Sequence, residues 1–149
     1  MDVYIGLDGY MIPSGFVMKE LTIMFPNSEY NHFLFQPPTE KYLTELDRRT
    51  IRFASHHLNN LAWSDGDIPY GQLDYILKKL RDYTIYTFSD IAMETLQRAL
   101  PTSVIINVQE MGFKMPKTLP NQHCGRMHNF RYCSKAKVCE VKKFIEDNI

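Results

Sequence analysis

The sequence predicts an α/β fold on one mixed sheet, and three observations lead there. Three strand-like segments follow one another at the N-terminus across turns too short for a crossover connection. Helical apolar spacing then alternates with two further strands, and a last amphipathic helix closes the chain. At 149 residues, 44% hydrophobic and 13% aromatic, the chain suffices for one core and is short for two. A single domain over residues 1–149 is expected.

Val3 to Asp8 (VYIGLD) reads as the first strand, enriched in β-branched and aromatic residues, and Tyr10 to Gly15 supplies Pro and Gly for a turn. Phe16 to Phe25 is the second strand. Beyond the turn at Pro26 to Ser28, Tyr30 to Gln36 alternates apolar and polar residues as a third, which Pro37-Pro38 ends. From Glu40, Leu43, Leu46, Ile51, Ala54, Leu58 and Leu61 recur at helical steps until Trp63 to Asp67 breaks the pattern. A helix to Leu80 follows from Pro69 or Tyr70, with Leu73, Ile76, Leu77 and Leu80 as its apolar stripe. Thr84 to Phe88 is strand four. Ser89 or Asp90 is placed to cap the next helix, whose apolar face is Ile91, Leu96, Ala99 and Leu100. Pro101 ends that helix, and the apolar run Ser103 to Val108 suits a parallel strand buried on both faces. After a Gly/Pro-rich loop from Gly112 to Pro120, the last helix runs from Ser134 to Asp147 and buries Val138, Val141, Phe144 and Ile145.

The order β-β-β-α-α-β-α-β-α, with right-handed crossovers, gives a three-strand antiparallel meander plus two parallel strands, with flanking helices. That arrangement is the ribonuclease H-like one.

The formal charge is zero, yet residues 1–113 hold 9 basic and 14 acidic side chains, whereas 114–149 hold 8 basic and 3 acidic. A basic C-terminal quarter reads either as a solvated helix face or as an edge facing phosphates. No segment has the roughly 20 apolar residues of a membrane span, and the N-terminus lacks signal-peptide features, so an intracellular place, cytoplasm or nucleus, and no membrane partner are expected.

The three cysteines, Cys124, Cys133 and Cys139, fall within 16 residues, and an odd number argues against a disulfide framework. Metal binding and plain burial are the alternatives. Zinc accepts thiolate and imidazole in a closed tetrahedron, and Cys124, His128 and Cys133 (Cys-x3-His-x4-Cys) bring three such donors into one loop. Cys139, inside the last helix beside Val138, reads as core. Adjacent His56 and His57 point about 100° apart on a helix and do not readily share a metal. Asp65 and Asp67 around Gly66 read as a turn, because most oxygen ligands of a calcium loop are missing.

A carboxylate near the end of the first strand resembles the first metal-binding aspartate of the ribonuclease H-like (DEDD) exonucleases, and Asp8 is the matching position. Those enzymes place a glutamate two residues on, where this chain has Tyr10. Asp90 is the nearest counterpart of their second aspartate, and their closing pair on the last helix has none. Closer similarity is to the Maelstrom domain of the germline small-RNA pathway and to related domains in insect genomes, through Cys124, His128 and Cys133 and the phrases Trp63 to Tyr70 and Cys133 to Phe144. This resemblance implies a catalytically degenerate fold with a C-terminal zinc clasp on Cys124, His128 and Cys133. The fourth ligand stays open among Asp90, Glu94, His123 and Cys139.

Three functions compete. The first is RNA recognition, with single-stranded RNA as partner, in small-RNA silencing or a mobile element; Arg126, Arg131, Lys135 and Lys137 would meet phosphates. The second is an active metal-dependent nuclease, which needs Asp8, Asp90 and Glu110 to converge on ions roughly 4 Å apart. The third is a protein-interaction module that binds a protein partner and no nucleic acid.

Overall fold

The structure is a computed structural model that describes residues 1–38, 43–57, 63–116 and 133–148, with the side chains of the second stretch up to Ser55. Five strands, β1 (Asp2–Ile12), β2 (Gly15–Met24), β3 (Tyr30–Leu34), β4 (Thr84–Thr87) and β5 (Ile105–Asn107), lie in the order β3-β2-β1-β4-β5. β1, β2 and β3 are antiparallel, while β4 and β5 run parallel to β1. The helices are α1 (Glu45–His57), α2 (Leu73–Lys78), α3 (Asp90–Ala99) and α4 (Ser134–Asp147).

Alternation along β1 divides the core. Val3 and Ile5 point to the face where Leu73, Leu77, Leu96 and Leu100 of the α2–α3 layer pack, together with Leu21, Phe35 and Ile85. Tyr4 points to the other face, against Val138, Val141 and Ile145 of α4. Each such side chain contributes roughly 1.5–3 kcal/mol on burial. Gly6 admits α4 close to the sheet, since a Cβ there would collide with the carbonyl of Ser134.

Besides shorter bounds for β3 and α2 and an exposed Ile91 at the start of α3, three elements depart from the sequence expectation for reasons the structure shows. β1 continues to Ile12, because Tyr10 to Ile12 pair with Gly15 to Val17 across a turn at Pro13-Ser14. β5 stops at Asn107, whose side chain accepts from Gln109 N at 3.1 Å and starts a 3-10 turn at Val108. On α1, Leu46 lies 57% exposed and Asp47 takes the buried position. The carboxylate of Asp47 accepts from Ser14 N at 3.1 Å, Ser14 Oγ at 2.5 Å and Thr44 N at 3.0 Å, while Thr44 Oγ1 accepts from Asp47 N. This reciprocal cap ties α1 to the β1–β2 turn, and the Ser14 hydroxyl first of all holds the carboxyl of Asp47 below its ordinary range.

At the far side of β2, Lys19 is fully buried, and its ammonium donates to the carbonyls of Phe35 at 2.6 Å, Trp63 at 2.7 Å and Asp65. Gly66 has φ +156°, and any Cβ there would strike the backbone of Phe35 and Gln36. The segment therefore lies flush against the end of β3, with Asp67 N donating to Leu34 O and Gln36 N to Ile68 O, each at 2.8 Å. Burial lowers the Lys19 pKa to about 8.

Candidate functional site

In parallel α/β sheets, ligands favour the crevice beyond the carboxyl ends of the strands. The parallel pairing of β1 with β4 ends at Ile5 and Thr87, and the next residues of β1 run past it to Asp8. There a cleft of about 160 Å³ opens, walled by Ile5, Leu7, Phe16, Phe88, Ile91, Val138 and Val141, with Asp8, Lys137 and Ser89 as its polar side chains.

Asp8 Oδ1 accepts from Gly9 N at 2.8 Å, and Asp8 Oδ2 stands 3.3 Å from the Lys137 ammonium. The register of β1 and β2 shifts between Asp8 and Gly9, and Asp8 is paired across the hairpin with Glu20. Burial raises the Asp8 pKa, against the lowering effects of Lys137 and the Gly9 amide, and the Glu20 charge raises it further.

Glu20 has its own task. Its carboxylate accepts from Ser134 N and is bonded to His32 Nε2 at 2.8 Å, while Thr22 Oγ1 and Ser134 Oγ meet at 2.7 Å. Cys133, the N-cap of α4, makes no side-chain cap bond, so the carboxylate from β2 serves the free amides and partial positive charge of the helix start. This seating, together with Gly6, fixes α4 over β1 and brings Lys137, one turn along, to Asp8.

Of the two residues placed to cap α3, Ser89 does so, accepting from Ala92 N at 3.2 Å with φ +96°. Asp90, exposed at the first turn of α3, accepts from Asn107 Nδ2 at 3.2 Å. Glu94 is exposed one turn further along, and Glu110 is exposed on the 3-10 turn after β5. Among the described residues, no three His, Cys, Asp or Glu side chains are placed to hold one metal ion, so Asp8, Asp90 and Glu110 are not brought together there.

The remaining expected residues divide. Cys133 is fully buried at the start of α4. Cys139 is half-buried against the α4-side core, and burial pushes its thiol pKa up. Lys135 lies over the Tyr30 ring, 4.6 Å from its centroid. His123, Cys124, Arg126, His128 and Arg131, and the side chains of His56 and His57, lie outside the described residues. Sequence reading missed Lys19, Glu20 and His32. Two adjacent charged residues inside the apolar run FVMKELTIMF were the available signal, since buried charges need partners.

Fold and cleft together define an α/β domain on a five-strand mixed sheet whose strand-end crevice holds a carboxylate–ammonium pair. No family model, curated protein or solved structure matches the chain.

Proposed function

We propose that this chain is a catalytically degenerate ribonuclease H-like domain that recognises RNA. The strand order β3-β2-β1-β4-β5, with its first three strands antiparallel and its last two parallel to the first, supports that topology. The observation that carries the reading is the Lys137 ammonium, 3.3 Å from Asp8. Phosphodiester cleavage through two metal ions needs several carboxylates gathered at one point. Here the last helix presents to Asp8 a fixed cation instead of a further carboxylate. The ammonium balances the carboxylate and repels a divalent ion from it. RNA recognition is then assigned to the basic C-terminal segment, where charge favours polyanions.

Zinc belongs to the same reading. Cys133 is fully buried at the start of α4, one residue before the amide that the Glu20 carboxylate accepts, and thiolate is a donor zinc accepts. The clasp would draw Cys133 together with Cys124 and His128, with the fourth ligand among Asp90, Glu94, His123 and Cys139. When bound, the metal would fasten the C-terminal segment to the sheet and contribute folding free energy.

The test is RNA affinity of the full chain and an Arg126→Ala/Arg131→Ala variant across a salt series, with metal content measured on the same preparations. The parent should bind, more weakly with salt, and the variant's slope of log K against log salt should fall by about 0.7 for each lost contact to a single strand. About one zinc per chain is expected. No binding at low salt would overturn the RNA role and favour a protein partner, and metal-free folded protein would remove the clasp.

A further inference from the structure

A second cleft lies where α4 passes the connection between β2 and β3. It encloses about 500 Å³, within the roughly 300–1,000 Å³ of small-molecule sites. Tyr30, the first residue of β3, is 44% exposed on its wall and carries the Lys135 ammonium 4.6 Å from its ring centroid. Lys142 and Lys143 share the wall with Glu140 and Glu146. Lys142 is tied to Glu146 at 2.9 Å, while Lys143 is exposed. Ser28, on the rim, holds the left-handed conformation at φ 71°, which serine adopts much less readily than glycine. Strained backbone of this kind concentrates at ligand sites.

An aromatic ring beside ammonium groups is the chemistry of a nucleotide site: every base has a face that stacks, and the phosphate linked to it needs a cation close by. Only an unpaired base can leave its own strand to stack on a side chain, so the arrangement suits a single strand and not a duplex. We propose that this cleft holds one nucleotide of a single-stranded RNA, with the base stacked on Tyr30 and the adjoining phosphate between Lys135 and Lys143. The proposal rests on the RNA-binding reading above and gives it a location. Lys137, one of the phosphate contacts expected from sequence, is engaged with Asp8, and Lys143 takes that role.

The experiment measures fluorescence anisotropy of a labelled ten-nucleotide oligouridylate with the full chain and with Tyr30→Phe, Tyr30→Ala and Lys143→Ala, at low salt and across a salt series. Tyr30→Ala should weaken binding about tenfold, the loss of one stacked base, while Tyr30→Phe keeps the ring and the affinity. Lys143→Ala, at an exposed position that does not threaten folding, should lower the salt slope by about 0.7. If the parent binds and Tyr30→Ala and Lys143→Ala bind equally well, the cleft is not the site, although RNA recognition stands. If Tyr30→Phe falls with Tyr30→Ala, stacking is wrong. If the parent does not bind, both the cleft and the RNA reading fall.

Discussion

Lys19 and Lys137 are both drawn into this molecule, and they are neutralised in different ways. Lys19 donates to three backbone carbonyls and is fully buried; Lys137 faces one carboxylate, Asp8, and keeps 18% of its side chain exposed. The carbonyls offer dipoles and no net charge, so desolvation prevails and the Lys19 pKa falls to about 8. At the crevice, desolvation raises the Asp8 pKa against the lowering effects of Lys137 and the Gly9 amide, and the Glu20 charge raises it further. The first lysine fastens a turn to the sheet. The second stands at the end of the parallel strands, 3.3 Å from Asp8. A buried ammonium surrounded by backbone is a structural clasp, whereas one that faces a carboxylate in a cleft sets the charge of that cleft.

The largest effect should come from Lys19→Met. It leaves three carbonyls without their donor, and removing one member of a buried polar constellation costs roughly 3–5 kcal/mol. Chemical denaturation should report that loss, and a change below about 1 kcal/mol would break the clasp account. Lys137→Met should cost less, toward the low end of the same range, because the pair is partly hydrated. Asp8→Asn combined with Lys137→Met should recover part of the loss, with a coupling of about 0.5–3 kcal/mol. Strict additivity would mean that the two groups do not interact.

A smaller effect is expected from the titration of Lys19. The folded pKa of Lys19, about 8, lies below the ordinary value of 10.5, so between these values the unfolded chain holds more protons than the native one. Stability from this group therefore grows as pH rises from 8 toward 10.5 and is lost as pH falls back through about 8. Measured against Lys19→Met, which lacks the titrating group, the parent should gain relative stability over that window. A constant difference would show that the carbonyls hold the ammonium at its ordinary affinity for protons.

The strands and their order were legible because the signals are local. VYIGLD and ELTIM are apolar runs bounded by turns, and the turns are too short for crossovers. The Ser89 cap was legible for the same reason, since its partner is three residues away. The crevice pair was not. Asp8 and Lys137 are 129 residues apart, and only the seating of the α4 N-terminus on Glu20 and Thr22 makes them neighbours. Lys19 was hidden differently: its partners are backbone carbonyls, which leave no mark in the sequence beyond Gly66, whose lack of a side chain lets the two segments meet. Leu46 was misplaced because helical periodicity alone does not register that Asp47 is needed at the β1–β2 turn.

Under the proposed function the strand-end crevice carries a cation in place of catalytic metal, and turnover is its direct test. The full chain would be incubated with labelled single-stranded RNA in Mg²⁺ and in Mn²⁺, beside an Asp8→Asn control purified in the same way. No cleavage above the control is expected with either ion, because Asp8 is paired with Lys137 and, among the described residues, no three metal-ligating side chains are placed to hold one ion. Metal-dependent cleavage by the parent that Asp8→Asn abolishes would contradict it, and would make the crevice an active nuclease site.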